Sequence, residues 1–137
     1  VGLAVDGSAS NDGSNLLEEL RVAYLLHRLN SSSQAPDGYE LLKLATRGSA
    51  AVLGRSDIGS LEPGKAGDLF LIRKNRLELV GADLDPKSML GTVGFKGAVD
   101  YTVVNGKIVV RNGKLTGIDE EKAVYEGKRA VNEYLNR

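Results

Sequence analysis

The chain contains no cysteine and only one histidine, His27, among 137 residues. Without cysteine, neither a disulfide framework nor a thiolate metal site can form. Protein zinc sites take most of their ligands from cysteine and histidine, and histidine is also the commonest acid–base group near neutral pH. One imidazole cannot complete a metal site of this kind. Transition-metal chemistry would therefore need ligands from outside these residues.

Other features are missing as well. No stretch approaches the roughly 20 apolar residues that cross a bilayer, so we expect no membrane partner. The 18 basic and 18 acidic residues cancel and form no large basic patch, so we expect no nucleic acid partner. No Gly-x-Ser-x-Gly motif supports a serine hydrolase. A lack of cysteine is compatible with the cytosol, where disulfides are rare, and we expect a cytoplasmic location.

The first seven residues (VGLAVDG) form an apolar run without an initiator methionine. They predict a buried strand that carries Asp6 at its C-terminal tip, where barrel enzymes place metal ligands and proton carriers. A strand buried on both faces needs neighbours on either side. We therefore expect the chain to be the tail of a larger enzyme. Faces uncovered by such a cut would associate, so we expect homo-oligomers or association through these surfaces.

Residues 6–14 permit two interpretations. Asp6 could bind a metal ion or carry a proton, or it could be a turn-forming aspartate that accepts the backbone N–H of Ser8 or Ala9. The side chains that could line the floor of a polar pocket are Ser8, Ser10, Asn11 and Asp12. Alternatively, they belong to an ordinary connection rich in glycine and serine.

The first half of the chain shows helical periodicity. It predicts helices over residues 15–29, 39–46 and 49–53. The first of these is apolar on two faces, which indicates a helix packed between layers. Because His27 lies among its leucines, we expect a histidine in the core or hydrogen-bonded between helices.

The second half, beyond a boundary near residues 54–60, has hairpin signals. The strands that we predict cover residues 67–72, 77–80, 99–104 and 107–111, with a short return at 114–115. Asn105-Gly106 is the strongest short hairpin signal. A terminal helix is expected over residues 119–135 with Asp119 as its N-cap. Its buried contacts would come from Val124, Ala130, Val131, Tyr134 and Leu135.

Four segments together resemble amidohydrolase-superfamily deaminases. Residues 1–12 (VGLAVDGSASND) are similar to that family's last barrel strand and the loop after it, and residues 45–50 (ATRGSA) to the helix after the barrel. Residues 53–69 resemble the re-entry into the small β domain, and residues 103–107 (VVNGK) its closing hairpin. Within the superfamily, the first and third segments look most like 8-oxoguanine deaminases, followed by hydroxydechloroatrazine ethylaminohydrolases.

The resemblance implies an α/β fold. Residues 1–55 would supply the last strand, the site loop and the following helices of a (β/α)8 barrel. Residues 56–118 would form part of a composite β-sandwich built from both chain ends, and residues 119–137 a C-terminal helix.

The resemblance also implies one divalent metal ion, zinc or iron. Family ligands are a His-x-His pair, another His and the Asp of the last strand, with a further His and a Glu assisting. Only the Asp corresponds to a residue here, Asp6, which would be both metal ligand and proton carrier for a water molecule that the metal activates. Ser10 or Asn11 would contact the substrate. Since the remaining ligands lie outside the chain, we expect it to be inactive alone.

Three hypotheses follow. The first is the C-terminal portion of a metal-dependent enzyme that deaminates a purine-like heterocycle of the 8-oxoguanine type. The second is an s-triazine amino- or chlorohydrolase. The third is a non-catalytic interaction module, which the hairpin and terminal helix would allow.

Overall fold

The computed structural model describes residues 1–7, 9–11 and 13–136, without the side chains of Ser31 and Ser32. The helices are α1 (Leu16–Ser31), α2 (Gly38–Lys43), a π-helical turn (Leu44–Gly48), α3 (Ser49–Val52), α4 (Met89–Val93) and α5 (Glu120–Leu135). The strands are β1 (Leu69–Leu71), β2 (Tyr101–Val104), β3 (Lys107–Arg111) and β4 (Lys114–Leu115). The chain thus combines a helical part with a small antiparallel sheet.

Helix α1 confirms the first predicted helix. Asn15 is its N-cap, since the Asn15 Oδ1 accepts the N–H of Leu17 at 3.1 Å. Leu20 is only 1% exposed, so one apolar face is buried. The opposite face is not, because Leu29 on it is 81% exposed. A helix packed on both faces is therefore wrong for the described part of the chain, and so is a core His27, which is exposed.

The next two predicted helices form one continuous run over residues 38–52. Asp37 starts it with a capping box: its carboxylate accepts the N–H of Glu40 at 2.7 Å, and the Glu40 carboxylate accepts the N–H of Asp37 at 3.0 Å. The π-helical turn follows α2, and the N–H of Ser49 donates to the Leu44 carbonyl. The predicted break at residues 47–48 is thus a widened turn rather than an interruption.

Helices α2 and α4 touch through their backbones at two glycines. A Cβ on Gly38 would lie 2.3 Å from the carbonyl oxygen of Ser88, and one on Gly91 would lie 2.9 Å from the Gly38 Cα. Both distances are shorter than any normal van der Waals contact. The two helices can approach this closely only because neither residue has a side chain.

The sheet is an antiparallel meander in the order β1-β2-β3-β4. Asn105 (φ 48°) and Gly106 (φ 77°) both have positive φ, as a type I′ hairpin turn requires, so the predicted hairpin is confirmed. A strand over residues 77–80 is wrong, because Leu77–Leu79 is a 3-10 turn that buries Leu79 completely. A short apolar run is compatible with either a strand or a helical turn.

Residues 1–5 do not form the predicted buried strand. They carry no strand pairing, and Val1 is 94% exposed. A strand is held by hydrogen bonds to a neighbouring strand, whereas the N–H and carbonyl of Leu3 both bond to the side chain of Ser49. In the described chain a helix therefore takes the place of a strand neighbour.

Helix α5 begins as predicted but packs differently. Its N-cap Asp119 accepts the N–H of Lys122 at 3.0 Å. None of its residues is buried, and the expected contacts are wrong: Val131 is 56% and Tyr134 75% exposed. Periodicity shows which helix face is apolar, not whether the described residues cover it. No helix among the described residues is long and apolar enough to cross a membrane.

A charged cluster joins the sheet to the loop after β1. Asp100 is 8% exposed and its Oδ2 accepts two bonds of 2.8 Å, from the N–H of Arg73 and the guanidinium of Arg76. The backbone N–H of Arg73 and then the Arg76 side chain hold the pKa of Asp100 below its ordinary value. The Arg76 guanidinium also lies 5.0 Å from the ring centre of Phe95, which is buried.

Gly38→Ala should destabilise the fold by about 1–3 kcal/mol, because the new methyl group would overpack against backbone that cannot rotate away. Gly127→Ala is the matched control, since its Cβ would meet nothing within 4 Å. Alanine is favoured over glycine inside a helix, so this variant should be slightly stabilised. Urea unfolding followed by circular dichroism measures both. Equal effects of the two substitutions would contradict the close approach of α2 and α4.

Asp100→Asn should lower stability at neutral pH by an amount that shrinks in acid. The pKa of Asp100 is lowered in the folded state from an ordinary 3.8, so the unfolded chain takes up the proton first. The stabilisation is therefore present above that ordinary pKa and is lost as the pH falls through the folded-state pKa. Thermal unfolding midpoints of both proteins between pH 7 and pH 3, a range that crosses the ordinary pKa of aspartate, measure the difference. A stability difference between the two proteins that does not change with pH would refute this contribution of the Asp100 carboxylate.

Candidate functional site

Asp6 lies in an exposed turn directly after the apolar segment. Its φ is +63°, a left-handed conformation that aspartate adopts more readily than most residues but that remains uncommon. The Asp6 Oδ1 accepts the N–H of Gly7 at 2.8 Å. Because a carboxylate offers about four lone-pair sites, this single bond leaves capacity for a cation or a proton.

Three donors in the loop after Asp6 bond to one backbone carbonyl, that of Gly7. The backbone N–H groups of Ser10 and Asn11 both donate to the Gly7 oxygen at 2.9 Å. The Ser10 hydroxyl donates to the same oxygen at 3.1 Å and keeps its own lone pairs. Ser10 is exposed, and its hydroxyl lies against the carbonyl of Gly7, the residue after Asp6. The polar candidates Ser8 and Asp12 lie outside the described residues.

Asn11 faces back toward the segment before Asp6. Its Nδ2 donates to the Val5 carbonyl and to the Glu19 Oε1, both at 2.9 Å. Its Oδ1 accepts the N–H of Gly13 at 3.1 Å. The carbonyls of Val5 and Gly7, one on each side of Asp6, are thus both held by residues 10 and 11.

The segment before Asp6 is fixed to the start of helix α3 by Ser49. The Ser49 hydroxyl accepts the N–H of Leu3 at 3.1 Å and donates to the carbonyl of the same residue at 2.9 Å. Two glycines make this approach possible. A Cβ on Gly48 would lie 2.3 Å from the Val1 oxygen, and one on Gly2 would lie 2.8 Å from the Ser49 Cα.

Ser49 and Glu19 are the site residues that the sequence analysis did not identify. Ser49 is separated from Leu3 by 46 positions, and no local pattern predicts a contact over that distance. Its only signal is the small pair Gly48-Ser49 inside the segment ATRGSA. Glu19 reads in the sequence as an ordinary acidic residue in the first turns of a helix.

The donor set supports part of a metal site. Within residues 1–7, 9–11 and 13–136, no group of three His, Cys, Asp or Glu side chains could hold a metal ion. The carboxylate of Asp6 fits one ligand position for zinc or iron, both of which accept carboxylate oxygen. The described residues therefore offer a single ligand and not a complete site.

A large cleft of the described chain lies elsewhere. It has a volume of about 830 Å³ and separates the helical run 39–53 from strands β1 and β2. Apolar side chains line most of it. Two of its charged residues, Arg47 and Glu62, pair with each other at 3.8 Å. Asp6, Ser10 and Asn11 do not line it. Because Asp6 is the residue for which the sequence predicts metal and proton chemistry, we place the candidate site at Asp6 and not in this cleft.

Comparison with known proteins gives a consistent result. The chain is 50% identical over 123 residues to hydroxydechloroatrazine ethylaminohydrolase of Pseudomonas sp. strain ADP, covering 88% of this chain and 26% of that protein. It is 44% identical over 119 residues to 8-oxoguanine deaminase of Pseudomonas aeruginosa, covering 87% of this chain and 26% of that protein. It therefore spans about a quarter of the length of these relatives.

A solved structure agrees with the sequence comparison. The zinc complex of atrazine chlorohydrolase from Arthrobacter aurescens TC1 superposes with a TM-score of 0.82 at 41% identity, over 90% of this chain and 28% of that one. Residues 1–109 match the amidohydrolase family, which confirms the resemblance predicted from the sequence. The chain belongs to the amidohydrolase family.

Proposed function

We propose that the chain is the C-terminal portion of a metal-dependent amidohydrolase that removes an amino group from a nitrogen heterocycle by hydrolysis. The observation that carries the proposal is Asp6, an exposed carboxylate at φ +63° whose flanking carbonyls are both fixed by hydrogen bonds. Uncommon backbone conformations that the surroundings over-determine are concentrated at functional sites. The family match over residues 1–109 includes this segment.

In this proposal Asp6 is a metal ligand and proton carrier. The metal, zinc or iron, would supply Lewis acidity toward a water molecule and the substrate ring. Asp6 would take the proton released from that water and return it to the departing amine, so its carboxylate would have to begin the cycle ionised. The other ligands would come from parts of the enzyme outside this chain, which would leave residues 1–137 inactive alone.

The architecture follows from the same proposal. Residues 1–55 would carry the last strand, the site loop and the helices after a (β/α)8 barrel, and residues 56–118 would be part of a composite β-sandwich. Residues 119–137 would form the terminal helix. Residues 1–5 would then gain strand neighbours from the rest of the enzyme. The antiparallel meander of β1 to β4 supports the middle assignment.

Ser10 remains the predicted substrate contact. Its hydroxyl is exposed and uses its hydrogen to bind the Gly7 carbonyl, so it would present oxygen lone pairs to a substrate N–H. The same contact predicted for Asn11 finds less support, because both amide hydrogens of Asn11 are engaged with the protein.

Two substrate classes fit the proposal. A purine of the 8-oxoguanine type is our first hypothesis, and the relative named 8-oxoguanine deaminase is 44% identical. An s-triazine is favoured by the higher identity, 50%, to hydroxydechloroatrazine ethylaminohydrolase. Displacement of a ring substituent by water is common to both hypotheses; the substituent is an amino group in the first and an amine or chloride in the second.

Asp6→Asn in the complete enzyme should lower kcat about 10²–10⁴-fold, the usual contribution of a positioned proton-transfer group, and should reduce zinc content. Asp119→Asn is the matched control. Asparagine caps helices as well as aspartate does, so this variant should retain both activity and zinc. Steady-state kinetics and metal analysis measure the two effects. A fully active Asp6→Asn enzyme would eliminate the proposed role.

The substrate class is decided by the leaving group. We expect the complete enzyme to release ammonia from 8-oxoguanine. Release of an alkylamine or chloride from substituted s-triazines, with no reaction on purines, would establish the second class instead. If no compound of either class reacts in the presence of zinc or iron, the chain is better described as a non-catalytic module.

A further inference from the structure

We propose that Asn11 is a positioning residue for Asp6: its amide holds the peptide plane that precedes Asp6, and Glu19 holds the amide. This inference rests on the proposed function of Asp6. It assigns to Asn11 a role different from substrate contact, and it brings Glu19 of helix α1 into the site.

The orientation of the Asn11 amide is determined by its partners. The Val5 carbonyl and the Glu19 carboxylate can only accept hydrogen bonds, and both lie 2.9 Å from Nδ2. The N–H of Gly13 can only donate, and it lies 3.1 Å from Oδ1. A flipped amide would oppose like groups at all three positions. Both amide hydrogens are therefore used, and none remains for a substrate.

The bond to Val5 acts directly on Asp6. The Val5 carbonyl belongs to the peptide plane that ends at the nitrogen of Asp6, so holding this oxygen restrains the φ of Asp6. That φ is +63°, a value that an unrestrained aspartate would often leave. The direction of the Asp6 carboxylate depends on φ because the side chain moves with the backbone.

Glu19 connects this arrangement to a rigid element. It lies within helix α1, whose N-terminus is capped by Asn15 and whose Leu20 is buried. The bond from Asn11 to Glu19 thus ties the loop to a helix packed against the core. Partners that orient a metal ligand usually contribute about 10–100-fold in metal affinity or activity.

The loop allows a selective substitution. Removing the Asn11 side chain leaves the backbone N–H of Asn11 and that of Ser10 on the Gly7 carbonyl. Asn11→Ala therefore breaks the side-chain bonds to Val5, Glu19 and Gly13, while the backbone bonds to the Gly7 carbonyl remain. Glu19→Gln retains an acceptor oxygen for Asn11, whereas Glu19→Ala does not.

The test uses the complete enzyme and zinc as the metal. Asn11→Ala should weaken zinc binding, measured by chelator competition, about 10–100-fold. It should lower kcat by a similar factor while KM stays unchanged, because binding of substrate groups remote from Asp6 is unaffected. Glu19→Ala should show a smaller loss of the same kind, and Glu19→Gln should be close to wild type.

Asn30→Ala is the matched control. Asn30 lies in α1, the helix that also carries Glu19. Its Nδ2 donates to the Leu26 carbonyl at 3.4 Å in an exposed position. It should change neither zinc affinity nor kcat. If Asn11→Ala fails to fold, the comparison of Glu19→Ala with Glu19→Gln still decides, since both keep the Asn11 side chain.

Hydrogen exchange separates this inference from the proposed function. The N–H of Gly7 is bonded to the Asp6 carboxylate, so exchange in the peptide covering residues 1–10 should accelerate in Asn11→Ala whether or not the enzyme turns over. If the wild type neither binds zinc nor hydrolyses heterocycles, faster exchange in Asn11→Ala than in wild type would refute the function and support the positioning. Unchanged exchange, or unchanged zinc affinity in a zinc-binding enzyme, would overturn the inference.

Discussion

The proposed site depends on holding the backbone on both sides of one carboxylate. Asp6 lies on a short exposed segment with a left-handed φ of +63°, and such a residue would sample many directions if it were free. Two carbonyls, those of Val5 and Gly7, are instead fixed by residues 10 and 11. Preorganisation of this kind is what allows a charged group to act without reorganising during a reaction.

The helical part of the fold contacts that segment from two directions. Glu19 of helix α1 is hydrogen-bonded to Asn11 of the loop. Ser49, at the start of helix α3, is hydrogen-bonded to Leu3. Widened helical turns are often found at functional sites, and here Gly48 and Ser49 bring the helix backbone within reach of the segment. Helices α1, α2 and α4 pack together around Leu20 and Leu41, both fully buried. Helix α1, which carries Glu19, is therefore part of the packed core of the described chain.

Local signals predicted local structure well. The Asn105-Gly106 hairpin, the return strand over Lys107–Arg111 and the Asp119 cap depend only on neighbouring residues, and the structure has all three. The candidate Asp6 could also be proposed from the apolar run before it and the turn after it.

Burial and long-range contacts could not be predicted in the same way. The faces of α1 and α5 are apolar, but a pattern does not show what lies against them, and Leu29 and Tyr134 are exposed. Residues 1–5 look like a strand, yet strand formation depends on a neighbour far away in sequence. For the same reason, no local pattern predicts the hydrogen bonds between Leu3 and Ser49. Burial and long-range contacts depend on the whole fold and not on the local sequence alone.

The most direct test of the central claim is a crystal structure of the complete zinc-bound enzyme with anomalous data at the zinc edge. The account predicts an anomalous peak about 2.0–2.2 Å from a carboxylate oxygen of Asp6, the normal zinc–carboxylate distance. It also predicts that the Asn11 amide still holds the Val5 carbonyl. A zinc ion bound without Asp6, with that carboxylate directed into solvent, would contradict the account.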